Sequence, residues 1–221
     1  MRVTLFIFLL VLGPNLIGNQ LYAQSEGFGA WYQYFGNHGL ASNWRLHNEV
    51  QFRDKQIEGK HEQLLLRLGL LYRKSSKLSY GAGYGLVYNY LENSKWTEPD
   101  NNENRFWQQL VGITPLSIIR FEHRLRLEQR WLVRGYENRF RYRLMASIPL
   151  NSEGFEKGTF GIHFYDELFI NLAQDAFDRN RFYGAIGYHI GNTQQIQAGF
   201  LRQSLPNQYW DYLQVALFIT K

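Results

Sequence analysis

The chain contains no cysteine. That absence removes disulfide bridges, thiolate metal centres, a catalytic thiol and a lipid-modified N-terminal cysteine from consideration. Beyond Leu12 it also lacks any stretch of about 18 consecutive apolar residues, the length a membrane helix requires. Charge of one sign is not in large excess, and a formal net charge of +5 gives no footing for a nucleic-acid surface. Metal-ligand spacings, phosphate loops and nucleotide motifs are missing, so no metal and no cofactor is expected. Lysine is absent where it would be informative. All seven (Lys55, Lys60, Lys74, Lys77, Lys95, Lys157, Lys221) fall in turns, loops or the terminus of the pattern described below, and 17 arginines supply nearly all its cations.

What is present is 45% hydrophobic and 17% aromatic, with 20 glycines, spread too evenly for a disordered chain. Arg2 precedes an apolar run from Val3 to Leu12, then Gly13-Pro14 and a short polar stretch ending Leu21-Tyr22-Ala23-Gln24. A positive charge, an apolar segment too short to span a bilayer and a small residue at the cut are the parts of a secretory signal peptide, cleaved after Ala23. The organisation expected is a signal peptide over 1–23 and one domain over 24–221, since no linker or composition break divides the remainder.

From Gly27 onward the hydrophobic period is two. Between Ile119 and Val133 one face carries Ile119, Phe121, His123, Leu125, Leu127, Gln129, Trp131 and Val133; the other carries Arg120, Glu122, Arg124, Arg126, Glu128, Arg130 and Leu132. Trp44, Leu46, Val50 and Phe52 likewise oppose Arg45, His47, Glu49, Gln51 and Arg53. Phe140, Tyr142, Leu144 and Ala146 oppose Arg139, Arg141 and Arg143. Eleven strands are drawn this way: 28–35, 44–54, 62–72, 78–92, 103–114, 118–133, 139–150, 159–171, 179–190, 194–203 and 209–220. Most exceed the five or six residues usual in soluble sheets.

Alternation alone leaves open which face is inside. A soluble barrel puts the apolar face in the core, whereas a membrane barrel turns it to lipid and keeps a polar lumen. Arginine in place of lysine favours the closed lumen, where a guanidinium fork satisfies several acceptors in fixed geometry. With the signal peptide, the strand lengths and Tyr or Trp at strand ends, the expectation is an all-β protein. It is an antiparallel up-and-down transmembrane β-barrel of about 10–12 strands in the outer membrane of a Gram-negative bacterium. Its expected partners are outer-membrane lipids and the barrel assembly machinery, with no nucleic acid.

The count carries a conflict, because bacterial barrels of this kind have even strand numbers with both termini periplasmic. Placing the long connection 93–102 outside and the short turns inside leaves 28–35 starting on the wrong side. Either 28–35 is not a full strand, or a strand elsewhere is merged or missed.

Asn-Arg-Phe occurs three times, at Asn104-Arg105-Phe106, Asn138-Arg139-Phe140 and Asn180-Arg181-Phe182. In this topology each copy opens a descending strand at the extracellular rim, with Arg105, Arg139 and Arg181 in the lumen at one height. The segments Glu103 to Gln109, His123 to Trp131, Arg139 to Leu144, Tyr165 to Asn171 and Asp178 to Tyr183 resemble motifs of a bacterial family known as domain of unknown function 2490. The resemblance covers essentially the whole mature chain and departs from the family's pattern at Phe106, where proline is expected. It implies an outer-membrane barrel typical of Bacteroidota-like bacteria, and it carries over no activity and no catalytic residue.

The constellation of note is the lumen ladder of Arg105, Arg120, Arg124, Arg126, Arg130, Arg139, Arg141, Arg143 and Arg181 with Glu103, Glu122, Glu128 and Glu167. A tight turn at Thr114–Ser117 would let Arg105 meet Glu128 and Glu103 meet Arg130, since cross-strand neighbours lie about 5 Å apart. The first reading is a filled or narrow Arg-lined barrel without catalysis, because charges in a confined lumen must pair. The alternative is an anion-selective channel for small solutes, since the ladder's nine arginines outnumber its four acids. A second alternative is an outer-membrane lipid hydrolase, which needs Ser and His together on the lipid face. None of the six histidines has Ser two residues along, and His123 alone is placed toward lipid. His163, Tyr165, Glu167 and Asn171 share a face and read as lumen lining. The Gly81-Ala82-Gly83-Tyr84-Gly85 alternation leaves room on the small face of its strand.

Overall fold

The computed structural model describes residues 24–57, 59–91, 94–173 and 176–221, so the signal peptide read over 1–23 lies outside the described residues. The strands are β1 (Gln24–Gly39), β2 (Trp44–Gln56), β3 (Lys60–Arg73), β4 (Leu78–Asn89), β5 (Asn101–Leu116) and β6 (Ile119–Leu132). They continue with β7 (Gly135–Pro149), β8 (Phe160–Asn171), β9 (Phe177–Gly191), β10 (Gln194–Ser204) and β11 (Gln208–Thr220). Consecutive strands pair antiparallel, and β1 joins β11 to close the barrel. No helix among the described residues is long and apolar enough to cross a membrane, which says nothing of strands.

The closure removes the parity conflict in a way the sequence reading did not consider. Segment 28–35 is the middle of a full 16-residue strand, and eleven is the strand count. In an odd meander the first and last strands run the same way, so they can close only in parallel. They do, in continuous register from Phe28 opposite Asp211 to Asn37 opposite Thr220. The expectation of a wholly antiparallel barrel is corrected at this one seam. The chain's lack of cysteine allows a clean test. Gln33 and Ala216 are register partners across the seam, and neighbouring strands about 4.8 Å apart fall within disulfide reach. The Gln33→Cys/Ala216→Cys variant is expected to cross-link on mild oxidation, read by mass and gel mobility. A folded double variant that stays reduced would contradict the seam.

Three further details differ from the sequence reading. The β5–β6 turn is the pair 117–118, with Ser117 at φ 54°, and Pro115 still lies in the ladder opposite Arg120. Proline near a strand end had pulled the expected turn two or three residues early. Lys55 and Lys60 belong to strand ends, not to a loop. The two longest connections, 90–100 and 150–159, lie at opposite ends of the barrel, so loop length does not distinguish one mouth from the other.

The alternation sorts as the sequence indicates. His47, Glu49, Gln51 and Arg53 are buried inside β2, while Phe52 beside them is exposed outside. Leu68, Tyr84, Leu125, Phe164, Ile186 and Phe200 carry that exposed apolar surface around the circumference. Aromatic side chains ring both ends. Trp44, Tyr72 and Tyr80 form a contiguous run at one end, with centroids 5.1 and 5.3 Å apart, and Trp131 meets Tyr136 at 5.5 Å at the other.

Inside, the lumen has two sectors. Over β9, β10, β11 and β1 a cluster of Trp31, Tyr183, Ala185, Leu201 and Tyr212, with the Trp31 and Tyr212 rings 4.7 Å apart, packs beside buried Arg181, Gln197, Gln203 and Gln214. Over β2 to β8 it is charged. Trp107 is fully buried between charged neighbours because Gly69 and Gly83, register partners on β3 and β4, leave a notch for its ring.

Candidate functional site

The charged sector is a network built from long side chains on alternating positions of β3 and β5 to β8. Glu103 is shared by two arginines, accepting from Arg105 Nε at 2.6 Å and from Arg130 Nε at 2.5 Å. Arg130 also reaches Glu137 at 3.2 Å. Glu128, with 0% of its surface exposed, is the hub. It accepts from Arg139 Nη2 and from Arg141 Nη1, each at 2.6 Å, with Arg67 at 3.6 Å and Arg126 at 3.9 Å. Arg141 bridges onward to Glu167 at 2.8 Å, and Arg124 meets the same Glu167 oxygen at 2.6 Å. Nearer the mouth at the 117–118 turn, Glu122 takes Arg143 at 2.6 Å and Arg120 at 3.4 Å, the latter half exposed. Arg126 donates to Gln109 at 2.7 Å and lies over the Trp107 ring.

Several of these contacts are chords across the lumen. Arg67 on β3 reaches Glu128 on β6, Arg124 on β6 reaches Glu167 on β8, and Arg139 on β7 reaches Asp178 on β9 at 3.0 Å. Charges that merely coated the wall would pair with adjacent strands. Pairing past an intervening strand means the heads meet in the interior, where low dielectric strengthens each bond and makes an unpaired head costly. A cavity of about 1070 Å³ remains, touching Ser75 and Thr193 near one mouth and Asn102 and Val133 near the other.

The structure brings the expected ladder together, with different pairings. Glu103 meets Arg130 as anticipated. Arg105 pairs with Glu103 and not with Glu128, because the shorter turn sets Arg105 opposite Arg130 and Trp107 opposite Glu128. Arg105, Arg139 and Arg181 all enter the lumen buried, in three different settings: Arg105 on Glu103, Arg139 between Glu128 and Asp178, and Arg181 on Gln203. Phe182 faces outward and is exposed. Sequence reasoning left Arg67 and Glu49 out of the ladder, although they form a short hydrogen-bonded ion pair at its edge. Arg67 was hidden in the Leu64–Leu66 run; Glu49 was visible in the alternation of β2.

The histidines separate cleanly. His123 faces outward and meets the Tyr142 hydroxyl at 2.8 Å. His163 lies in the lumen, where Ser147, its register partner on β7, sits 2.9 Å from Nδ1. A search for Ser and His on one strand could not find this pair, since it is cross-strand. Gln197 donates to Gln195 Oε1 at 3.0 Å, which turns the Gln195 amide nitrogen toward His163 Nε2 at 2.8 Å. Phe155, from the 150–159 connection, stacks on His163 at 5.7 Å. His163, Tyr165 and Glu167 line the lumen together.

A family model described as "Protein of unknown function (DUF2490)" matches residues 28–213. No curated protein and no solved structure matches the chain.

Proposed function

Since the chain belongs to the DUF2490 family of proteins of unknown function, we propose a role for it from its geometry: an outer-membrane barrel whose lumen is crossed by an arginine–glutamate network that leaves only a narrow arginine-lined passage, without catalysis. The protein is exported by its first 23 residues. It is surrounded by outer-membrane lipids and inserted by the barrel assembly machinery.

One observation carries this reading, the inversion of polarity. Buried Glu128, Arg139, Arg141 and Glu167 fill the inside while Leu68, Ile186, Phe200 and their neighbours stand exposed outside. A water-soluble barrel with this distribution would expose apolar surface around its whole girth, far beyond the few hundred Å² tolerated on soluble monomers. Lipid accepts that surface and the closed ladder satisfies every strand edge. The first test is location and fold. The band is expected in the outer-membrane fraction and to shift on gels between unheated and heated samples; recovery in the soluble periplasm would overturn the reading.

The anion-channel reading is kept by the cation surplus and by the cavity that touches both mouths. In planar bilayers the expectation is no unitary conductance, or a small one favouring anions in a salt gradient. Changing Arg105, Arg139 and Arg181 together to Gln should then lower the anion preference. In a filled barrel the same triple change should lower thermal stability, chiefly through Arg139 and its two acids. A well-resolved cation-selective pore would contradict both forms. The lipid-hydrolase reading has less to stand on, since outward His123 meets a tyrosine in place of a serine.

A further inference from the structure

Two buried arginines stand apart from the network. Arg53 on β2 gives Nη1 to Gln63 at 2.6 Å and Nε to Gln51 at 3.0 Å. Arg181 on β9 gives Nε to Gln203 at 2.8 Å. Among the described residues neither has a carboxylate within ion-pair distance, although both are less than one-tenth exposed. Glu62, on the strand beside Arg53, accepts the Tyr212 hydroxyl at 3.3 Å instead. The two guanidinium groups come from strands far apart in the chain and converge on one ring: Arg53 lies 4.2 Å and Arg181 4.8 Å from the centroid of Trp31.

A ring face and neutral amides soften the burial of a guanidinium, but they cannot cancel its charge. Two such cations beside each other repel as well. Elsewhere in this lumen Glu103, Glu122, Glu128 and Glu167 are each shared by two or more arginines; here the two guanidinium groups have no acid in ion-pair contact, Glu62 being held by Tyr212. Trp31 Nε1 and Gln214 Oε1 add a second, independent observation. Both are buried with no hydrogen-bond partner, and their residues are register partners across the β1–β11 seam. The cavity is lined by all four side chains.

Resting on the barrel reading above, we infer that Arg53, Arg181, Trp31 and Gln214 form a lumen site for a phosphate group, which is the missing counterion. The chemistry selects the class. Two guanidinium forks call for a dianion, where a single carboxylate leaves one charge over. Hydrogen phosphate offers oxygens to both forks and to the indole N–H, and its own O–H supplies the donor that Gln214 Oε1 lacks. Sulfate has the charge and no such proton. The phosphate is the free ion, since a phosphate monoester dianion, like sulfate, carries no such proton.

The test is calorimetric titration of the detergent-refolded barrel in phosphate-free buffer with inorganic phosphate, glycerol 3-phosphate and sulfate. Phosphate should bind, with sulfate weaker by about tenfold or more, one hydrogen bond's difference. Glycerol 3-phosphate, whose dianion also lacks that proton, should bind as weakly as sulfate; an ester that binds as tightly as inorganic phosphate would overturn the site. Arg53→Gln and Arg181→Gln should each weaken phosphate by about tenfold or more, while Arg202→Gln, which loses a pair with Asp211, should leave it unchanged. Folding is checked by the heat-shifted gel band. In phosphate-free buffer both lumen variants should melt no lower than wild type, because each removes an unpaired cation, and the rise in melting temperature on adding phosphate should disappear. A heat-shifting wild type that binds no phosphate, undiminished phosphate binding by the folded Arg53→Gln or Arg181→Gln protein, or sulfate binding as tightly as phosphate would each overturn the site. Absence of the heat shift in the wild type would instead count against the barrel reading beneath it.

Discussion

Glu128→Ala is expected to lower unfolding free energy by about 3–5 kcal/mol, the cost of removing one partner from a buried ion pair. Glu128 is fully buried and holds Arg139 and Arg141 at 2.6 Å, with Arg67 and Arg126 nearby. Without it those heads crowd the same space; Arg139, Arg141 and Arg67 retain Asp178, Glu167 and Glu49, and Arg126 keeps no acid in ion-pair contact. Glu98→Ala is the comparison. Glu98 sits in the 90–100 connection, largely exposed and 3.9 Å from Lys95. Its loss should change stability by less than about 0.5 kcal/mol. Denaturant titrations of the two variants in detergent, followed by tryptophan fluorescence, give the contrast. Equal effects would mean that Glu128 does not hold the lumen together.

The second large effect is expected where an aromatic ring fills a notch in the wall. Trp107 is completely buried, and an added Cβ at Gly83 would come within 2.7 Å of its Cζ2 and 2.5 Å of Gly69 Cα. Trp107→Ala should cost about 3–5 kcal/mol through the cavity it leaves. Gly83→Val should cost at least about 1–3 kcal/mol, because the obstruction includes backbone of the adjoining strand and cannot be relieved by rotating a side chain. Gly112→Ala is the control, since nothing lies within 4 Å of the position its Cβ would take. Thermal melts of the three refolded variants would settle the order; a Gly83→Val protein as stable as Gly112→Ala would contradict the packing.

These two sites mark how far the sequence could be read. Strand positions and facing were legible because a period of two survives in any register, and β6 displays it over its whole length. Which arginine meets which acid was not legible. A two-residue change in one turn moves Arg105 from Glu128 to Glu103, and contacts that skip a strand depend on lumen width. Arg67 was concealed by the leucines on either side of it. The notch under Trp107 was half visible: the glycine alternation of 81–85 indicated empty space, but nothing local says which distant ring occupies it. The parallel closure was hidden for another reason, since strand counting works from local pattern and pairing between the first and last strands leaves none.

The odd count also sets the sidedness of the protein. Every even meander returns its end to the mouth from which it began, whereas here Gln24 and Thr220 emerge at opposite mouths. In the outer-membrane placement proposed above, one terminus would face the periplasm and the other the outside. Tags fused at the two termini would then report on different compartments, and a single folded chain would present one of its ends to each aqueous phase.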